Sequence, residues 1–184
     1  MPYTAKGFTL LELLVTLSLL AVITALTAPA LLSSGQGARL NAHATDLQSL
    51  LNNSRSLAML EQQSVFVCGA SPAPADALSA PEPCNELGEW RHGIHVVLDE
   101  NGNQAPDTDD SVRLFQAPYP HLTTLTWRGF RGKNHIEFLA AGTTNWQNGR
   151  FTFCSKDTES EGLEVVLNVA GRSYIRSLTT ACES

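Results

Sequence analysis

A single carboxylate, Glu12, stands inside an otherwise apolar run from Phe8 to Leu32. A charge in hydrocarbon costs a few kcal/mol, so such a group marks function by default. Further on, Trp127-Arg128-Gly129-Phe130-Arg131-Gly132-Lys133 carries three cations, two aromatics and no acid. Cations neutralise phosphates, and aromatic faces stack on bases. Arg172 and Arg176, in Gly171-Arg172-Ser173-Tyr174-Ile175-Arg176, add to this basic set. Double-stranded DNA is therefore one expected partner, through Arg128, Arg131, Lys133, Arg172 and Arg176. A solvated hairpin and a strand edge guarded by charge explain the same residues.

Asp99, Asn101, Asn103, Asp107 and Asp110 fall at positions 1, 3, 5, 9 and 12 of a calcium-loop spacing. Gln104 replaces the turn glycine of that pattern, and the last ligand is Asp where a bidentate Glu belongs. An Asx-rich turn between strands accounts for the composition equally well. His92 and His95 are three apart, which on a strand puts them on opposite faces, and His43, His121 and His135 have no acidic or thiol neighbour at metal spacing. No metal and no cofactor are expected. Nucleophile-elbow, zinc-protease, P-loop and dinucleotide motifs are absent, and acidic pairs such as Asp109-Asp110 lie in polar stretches. The expectation is a protein that is not an enzyme. Trp90, Trp127 and Trp146 are expected in the core or in an interface.

The elements that must position these groups follow from patterning. The chain has 184 residues, enough for one domain with an appendage, and 43% of them are hydrophobic. Its net charge of −6 argues against a generic polybasic nucleic-acid binder. The charge is uneven: residues 1–110 hold 4 basic and 12 acidic groups, and residues 111–184 hold 8 basic and 6 acidic. As a helix, Phe8–Leu32 would span roughly 37 Å, enough to cross a bilayer core of about 30 Å. Lys6 supplies the basic flank that keeps the N-terminus cytoplasmic. A cleaved secretory signal has a shorter apolar core, and its A-x-A-like site would here run directly into Pro29. A plain one-pass anchor explains the length but not Glu12. Ser33 to Gly37 reads as a flexible break.

From Ala38 to about Gln62, Leu40, Leu47, Leu50, Leu51, Leu57 and Ala58 recur at helical spacing and form one apolar face. Strand patterns follow at Val65–Cys68, Gly93–Leu98, Val112–Ala117, Leu122–Trp127, His135–Leu139, Arg150–Cys154, Leu163–Val169 and Tyr174–Leu178. A helix on antiparallel sheet is the α+β outcome. The expected division is a leader over 1–7, an N-terminal helix over 8–62 with its transmembrane part at 8–32, and a β-rich head over 63–184. Four cysteines without a CxxC pair fit two disulfides better than zinc or redox chemistry. Three connectivities are open. The local one, Cys68–Cys84 with Cys154–Cys182, is favoured, and the first bridge would contribute about 3 kcal/mol. A disulfide-bonded head beyond a membrane helix belongs in the periplasm or outside the cell.

Gly7-Phe8-Thr9-Leu10-Leu11-Glu12 resembles the processing site of type IV pilins and type II secretion pseudopilins. The resemblance implies that a prepilin peptidase cuts after Gly7 and methylates the new N-terminal Phe8. It also implies that Glu12 is the assembly glutamate and Pro29 the helix-kinking proline. Glu12 would neutralise the buried amine of Phe8, on its own chain or a neighbour, since buried charges must be paired. Beyond Asp46 the chain is similar to the GspH/FimT family in Arg55-Ser56-Leu57-Ala58, Val65–Cys68, Trp90, Gly93, Asn101-Gly102-Asn103, Gly149-Arg150-Phe151, Cys154, Gly171-Arg172 and Cys182. That implies a minor pilin in the inner membrane, then at a pilus tip with other minor and major pilins, needed for priming the filament. The alternative is the H-type minor pseudopilin of a type II secretion system. Family members that bind DNA have a second basic residue closer to the Gly-Arg pair than Arg176 is here.

Overall fold

The computed structural model describes residues 9–70, 84–85, 90, 92–119, 122–130, 134–155 and 162–178, with the side chains of 25–36, 123 and 155 outside that set. Helix α1 runs over Leu10–Glu61. Thr9 caps it: its Oγ1 accepts the Glu12 N–H at 3.2 Å, and Glu12 lies in the first turn, where a carboxylate favours the helix dipole. Gln62, in the left-handed region at φ 56°, closes the other end. The helix is continuous through Ser33–Gly37, so the expected break is not there. Glycine lowers helix propensity by about 1 kcal/mol but, unlike proline, keeps its backbone donor. Pro29 also falls inside α1, within the stretch whose side chains are not described.

Two compact units divide at Ala38/Arg39, within the helix and not after it. In the first, Leu10, Leu11, Leu13, Leu14, Val15 and Leu17 are all exposed. A helix that is apolar all round needs an apolar surrounding. The described hydroxyls inside this helix stretch are already satisfied. Thr16 Oγ1 donates to Leu13 O at 2.9 Å, Ser18 Oγ to Val15 O at 2.8 Å and Thr24 Oγ1 to Leu20 O at 3.0 Å. Among the described residues no helix is long and apolar enough to cross a membrane. The described side chains of the apolar run end at Thr24, so the expected span of 8–32 lies partly outside them.

The second unit starts at Arg39 because the rest of α1 belongs to the head's core. Leu40, Ala44, Leu47, Leu50, Leu51 and Ala58 are buried there at helical spacing. Eight strands follow: β1 Val65–Gly69, β2 Ile94–Leu98, β3 Ser111–Gln116, β4 Leu122–Gly129, β5 His135–Phe138, β6 Gly149–Ser155, β7 Gly162–Leu167 and β8 Ser173–Ser177. They form two antiparallel sheets, ordered β3-β2-β1-β5 and β4-β6-β7-β8. Every expected strand is present, within one or two residues of its expected ends.

Strand alternation sorts the second sheet. Phe151, Phe153, Val165 and Leu167 point into the core, where Trp90 and Trp127 meet the Phe151 ring at 4.8 and 4.7 Å between centroids. Trp146 is exposed, unlike the other two tryptophans. Strand β1 is buried on both faces. Val65 and Val67 join the main core, while Phe66 and Cys68 pack with Val97 and Cys84 on the far side.

Candidate functional site

The amino-terminal candidates divide by position. Gly7 and Phe8 lie outside the described residues. Glu12 is exposed, and its carboxylate makes no hydrogen bond or ion pair among the described residues. It is thus the one ionisable side chain on the first two turns of an apolar helix.

Two of the basic candidates, Arg128 and Arg176, lie on one sheet face. Strand register places Arg128 opposite Arg150, Arg150 opposite Val166, and Val166 opposite Tyr174. The neighbouring row on that face is Thr126, Thr152, Glu164 and Arg176. Core residues occupy the alternate positions, so this face is the outer one. Arg172 lies in the turn between β7 and β8, its N–H donating to Asn168 Oδ1 at 3.0 Å. Arg131 and Lys133 fall outside the described residues. The turn rests on Gly171, at φ +73°, where a β-carbon would strike the Gly142 carbonyl oxygen and meet Arg55 Cδ at 3.3 Å. Arg55 Nε in turn donates to Gly142 O at 2.7 Å. The glycine of the Gly-Arg pair is therefore a packing requirement, independent of what Arg172 does.

Arg150 and Glu164 were not singled out as site residues from sequence. Arg150 alternates with buried Phe151 and Phe153, which places it outside, but only register puts it beside Arg128. Glu164, with a side chain 6% exposed, forms ion pairs with Arg150 (Nε to Oε1, 3.0 Å) and Arg176 (Nη2 to Oε2, 2.6 Å). Arg176 Nε also donates to Oε2 at 2.6 Å.

In the Asp99–Asp110 loop the carboxylates are turned onto the backbone. Asp99 accepts the N–H groups of Gly102 at 2.7 Å and Gln104 at 3.1 Å. Asp110 accepts those of Glu100 and Asp107, both at 3.1 Å. The Asp109 N–H and the amides of Asn101 and Asn103 donate to Asp107. The Asp109 contact first, then the two amides, hold the Asp107 carboxyl below its ordinary value. Partial burial pushes that of Asp110 up. No group of three acidic, histidine or cysteine side chains suited to a metal exists among the described residues. The arrangement is an Asx-turn network in which the carboxylates serve the backbone.

Cys68 and Cys84 are disulfide-bonded, with Cα atoms 5.4 Å apart. Cys154 is also disulfide-bonded, and its expected partner Cys182 lies outside the described residues.

With this geometry in view, the likenesses to known proteins converge. Residues 43–171 match the family of the type II transport protein GspH, and residues 4–28 match the prokaryotic N-terminal methylation motif. The first match covers more than half of the chain, which therefore belongs to the GspH family of pilin-like subunits. No curated protein matches the sequence. Two crystal structures of the type IV minor pilin FimU from Pseudomonas aeruginosa strain PAO1 share the fold at 17% identity. One aligns with a TM-score of 0.55 over 78% of this chain and 95% of that one. The other aligns with a TM-score of 0.53 over 78% and 100%.

Proposed function

We propose that this chain is a minor pilin of a type IV pilus, assembled at the filament tip and needed to prime it. Prepilin peptidase removes residues 1–7 after Gly7 and methylates Phe8. Phe8–Leu32 anchors the protein in the inner membrane with the head in the periplasm, and Pro29 kinks the helix. Assembly moves that helix among those of other minor and major pilins, and the head to the cell surface. The observation that carries this reading is the Glu12 carboxylate, unpaired among the described residues on a helix apolar on all sides. In lipid it is a cost, and beside the N-terminal amine of a pilin subunit it is a counter-ion. Glu12→Ala should insert into the membrane and be processed normally, yet be missing from sheared filaments. Normal incorporation of that variant would refute the charge-pairing role. The alternative machine is a type II secretion system, in which the chain would be the H-type pseudopilin.

A second reading is supported by the arginine face of the second sheet. Arg128, Arg150, Arg172 and Arg176 lie on it or at its end, in the half of the chain with net positive charge. Capture of double-stranded DNA at the pilus tip, for uptake in transformation, fits that face. Duplex binding that weakens steeply between about 50 and 200 mM salt tests it.

A further inference from the structure

Where β6, β7 and β8 end beside the Asn168–Arg172 turn, the outer face holds a cleft of about 340 Å³. Its lining includes Asn148, Arg150, Asn168, Tyr174 and Arg176. The charged groups among its lining residues are both cations. Glu164, the carboxylate that neutralises part of their charge, is not among the lining residues: it is buried against the arginines with both oxygens occupied.

The contacts leave the cations usable. Arg150 meets Glu164 through Nε, so its terminal nitrogens are not spent on that pair. Arg176 spends Nε and one terminal nitrogen. The two arginine side chains remain 45% and 50% exposed. Asn168 uses Oδ1 on the Arg172 N–H, which leaves its amide N–H groups as donors. Tyr174, about half exposed, lines the same cleft. Arg128 stands directly across from Arg150 and makes no ion pair among the described residues. Like charges facing each other across strands destabilise a sheet, and a bound anion relieves that cost.

We infer that this cleft is a phosphate-binding site in which Arg150 and Arg176 form a fork and Glu164 is the positioning residue that holds it open. The inference rests on reading this face as a DNA contact, and it names the atoms that would take a backbone phosphate. A guanidinium held at its Nε edge is already ordered before the ligand arrives. The entropy of fixing a long side chain is then not charged to binding. Bidentate oxyanion recognition is what separates such a fork from a loose basic patch.

The test uses the full chain in detergent, a labelled duplex of about 24 base pairs spanning some two helical turns, and inorganic pyrophosphate as competitor. Arg150→Ala should weaken duplex binding about tenfold and flatten the salt slope by about 0.9. Arg150→Lys, a surface change that keeps the charge, should lose most of that affinity while keeping the slope, because lysine lacks the Nε edge that Glu164 grips. Glu164→Gln should weaken binding by about fivefold, although it adds net positive charge, because both arginines must then be ordered on binding. Arg150→Lys equal to the parent, or tighter binding by Glu164→Gln, would overturn the fork. Duplex binding that needs Arg172 but is indifferent to Arg150 would refute the cleft and spare the DNA reading. Binding of pyrophosphate that needs Arg150, without duplex binding, would keep the cleft and refute DNA as its source. Binding of neither would refute both.

Discussion

Replacing Gly171 by alanine separates the architecture of the Gly-Arg turn from the chemistry of Arg172. At φ +73° a β-carbon costs about 1–2 kcal/mol on backbone grounds alone. It would also stand against the Gly142 carbonyl oxygen, the group that accepts Arg55 Nε at 2.7 Å. A hydrogen bond to a charged group contributes about 1.5–3 kcal/mol. Losing part of it brings the expected destabilisation to about 3 kcal/mol. In a domain of this size that corresponds to a fall in Tm of about 6–12 °C. Urea unfolding followed by the fluorescence of buried Trp90 and half-buried Trp127 reads it directly, with the midpoint moving and m unchanged. Gly171→Asn divides the cost, since asparagine tolerates the left-handed backbone but still carries a β-carbon. If the collision with Gly142 dominates, Asn is as harmful as Ala. A loss below about 0.5 kcal/mol for Gly171→Ala, the range of ordinary surface substitutions, would refute the packing argument.

Other consequences follow from the head. Cys68→Ala/Cys84→Ala should cost about 3 kcal/mol, because the bridge joins residues 16 apart and covers Phe66 and Val97; an unchanged unfolding midpoint would contradict this. Phe151→Ala, which removes a fully buried ring from between Trp90 and Trp127, should cost about 3–5 kcal/mol by thermal or urea unfolding. Asp107 has a folded pKa held below its unfolded value of 3.8. Its contribution is therefore complete above that value and is lost as pH falls through the lower folded one. Asp110, raised by partial burial, imposes a penalty above its folded pKa that is relieved as pH falls towards 3.8. The difference in stability between the parent and Asp107→Asn should thus shrink on acidification below about pH 4; a difference constant across that range would show that the charge of Asp107 is not what counts.

Much of this architecture is legible in the sequence, and particular residues show why. In Gly149–Ser155 the large apolar side chains alternate with polar ones, so period-two patterning marks the strand and its inner face. Strand β1 lacks that alternation because it is buried on both faces, and its short apolar run Val65–Cys68 marks it instead. The apolar stripe of Leu40, Leu47, Leu50 and Leu51 marks the helix face in the same way. The continuity of α1 through Ser33–Gly37 was not legible, because two glycines signal a turn locally while cooperative hydrogen bonding carries the helix across. The spacing of Asp99–Asp110 is ambiguous in sequence for a related reason: Asx residues that cap backbone N–H groups recur at the intervals that ligands would. The arginine cleft was legible only in part. Arg128 and Arg176 could be proposed from composition, but Arg150 becomes their neighbour through strand register. Glu164 lies opposite Thr152 and Arg176 only once β6, β7 and β8 are paired, and no local pattern encodes that.

The central claim is that the chain primes a pilus. Its most direct test is deletion of the gene in its host and complementation with the parent or Glu12→Ala, with sheared surface pili and exported proteins quantified in the same cultures. The account predicts that deletion abolishes or sharply reduces pili, that the parent restores them, that Glu12→Ala does not, and that protein export is unchanged throughout. Normal piliation with lost export would contradict it and assign the chain to the secretion machine.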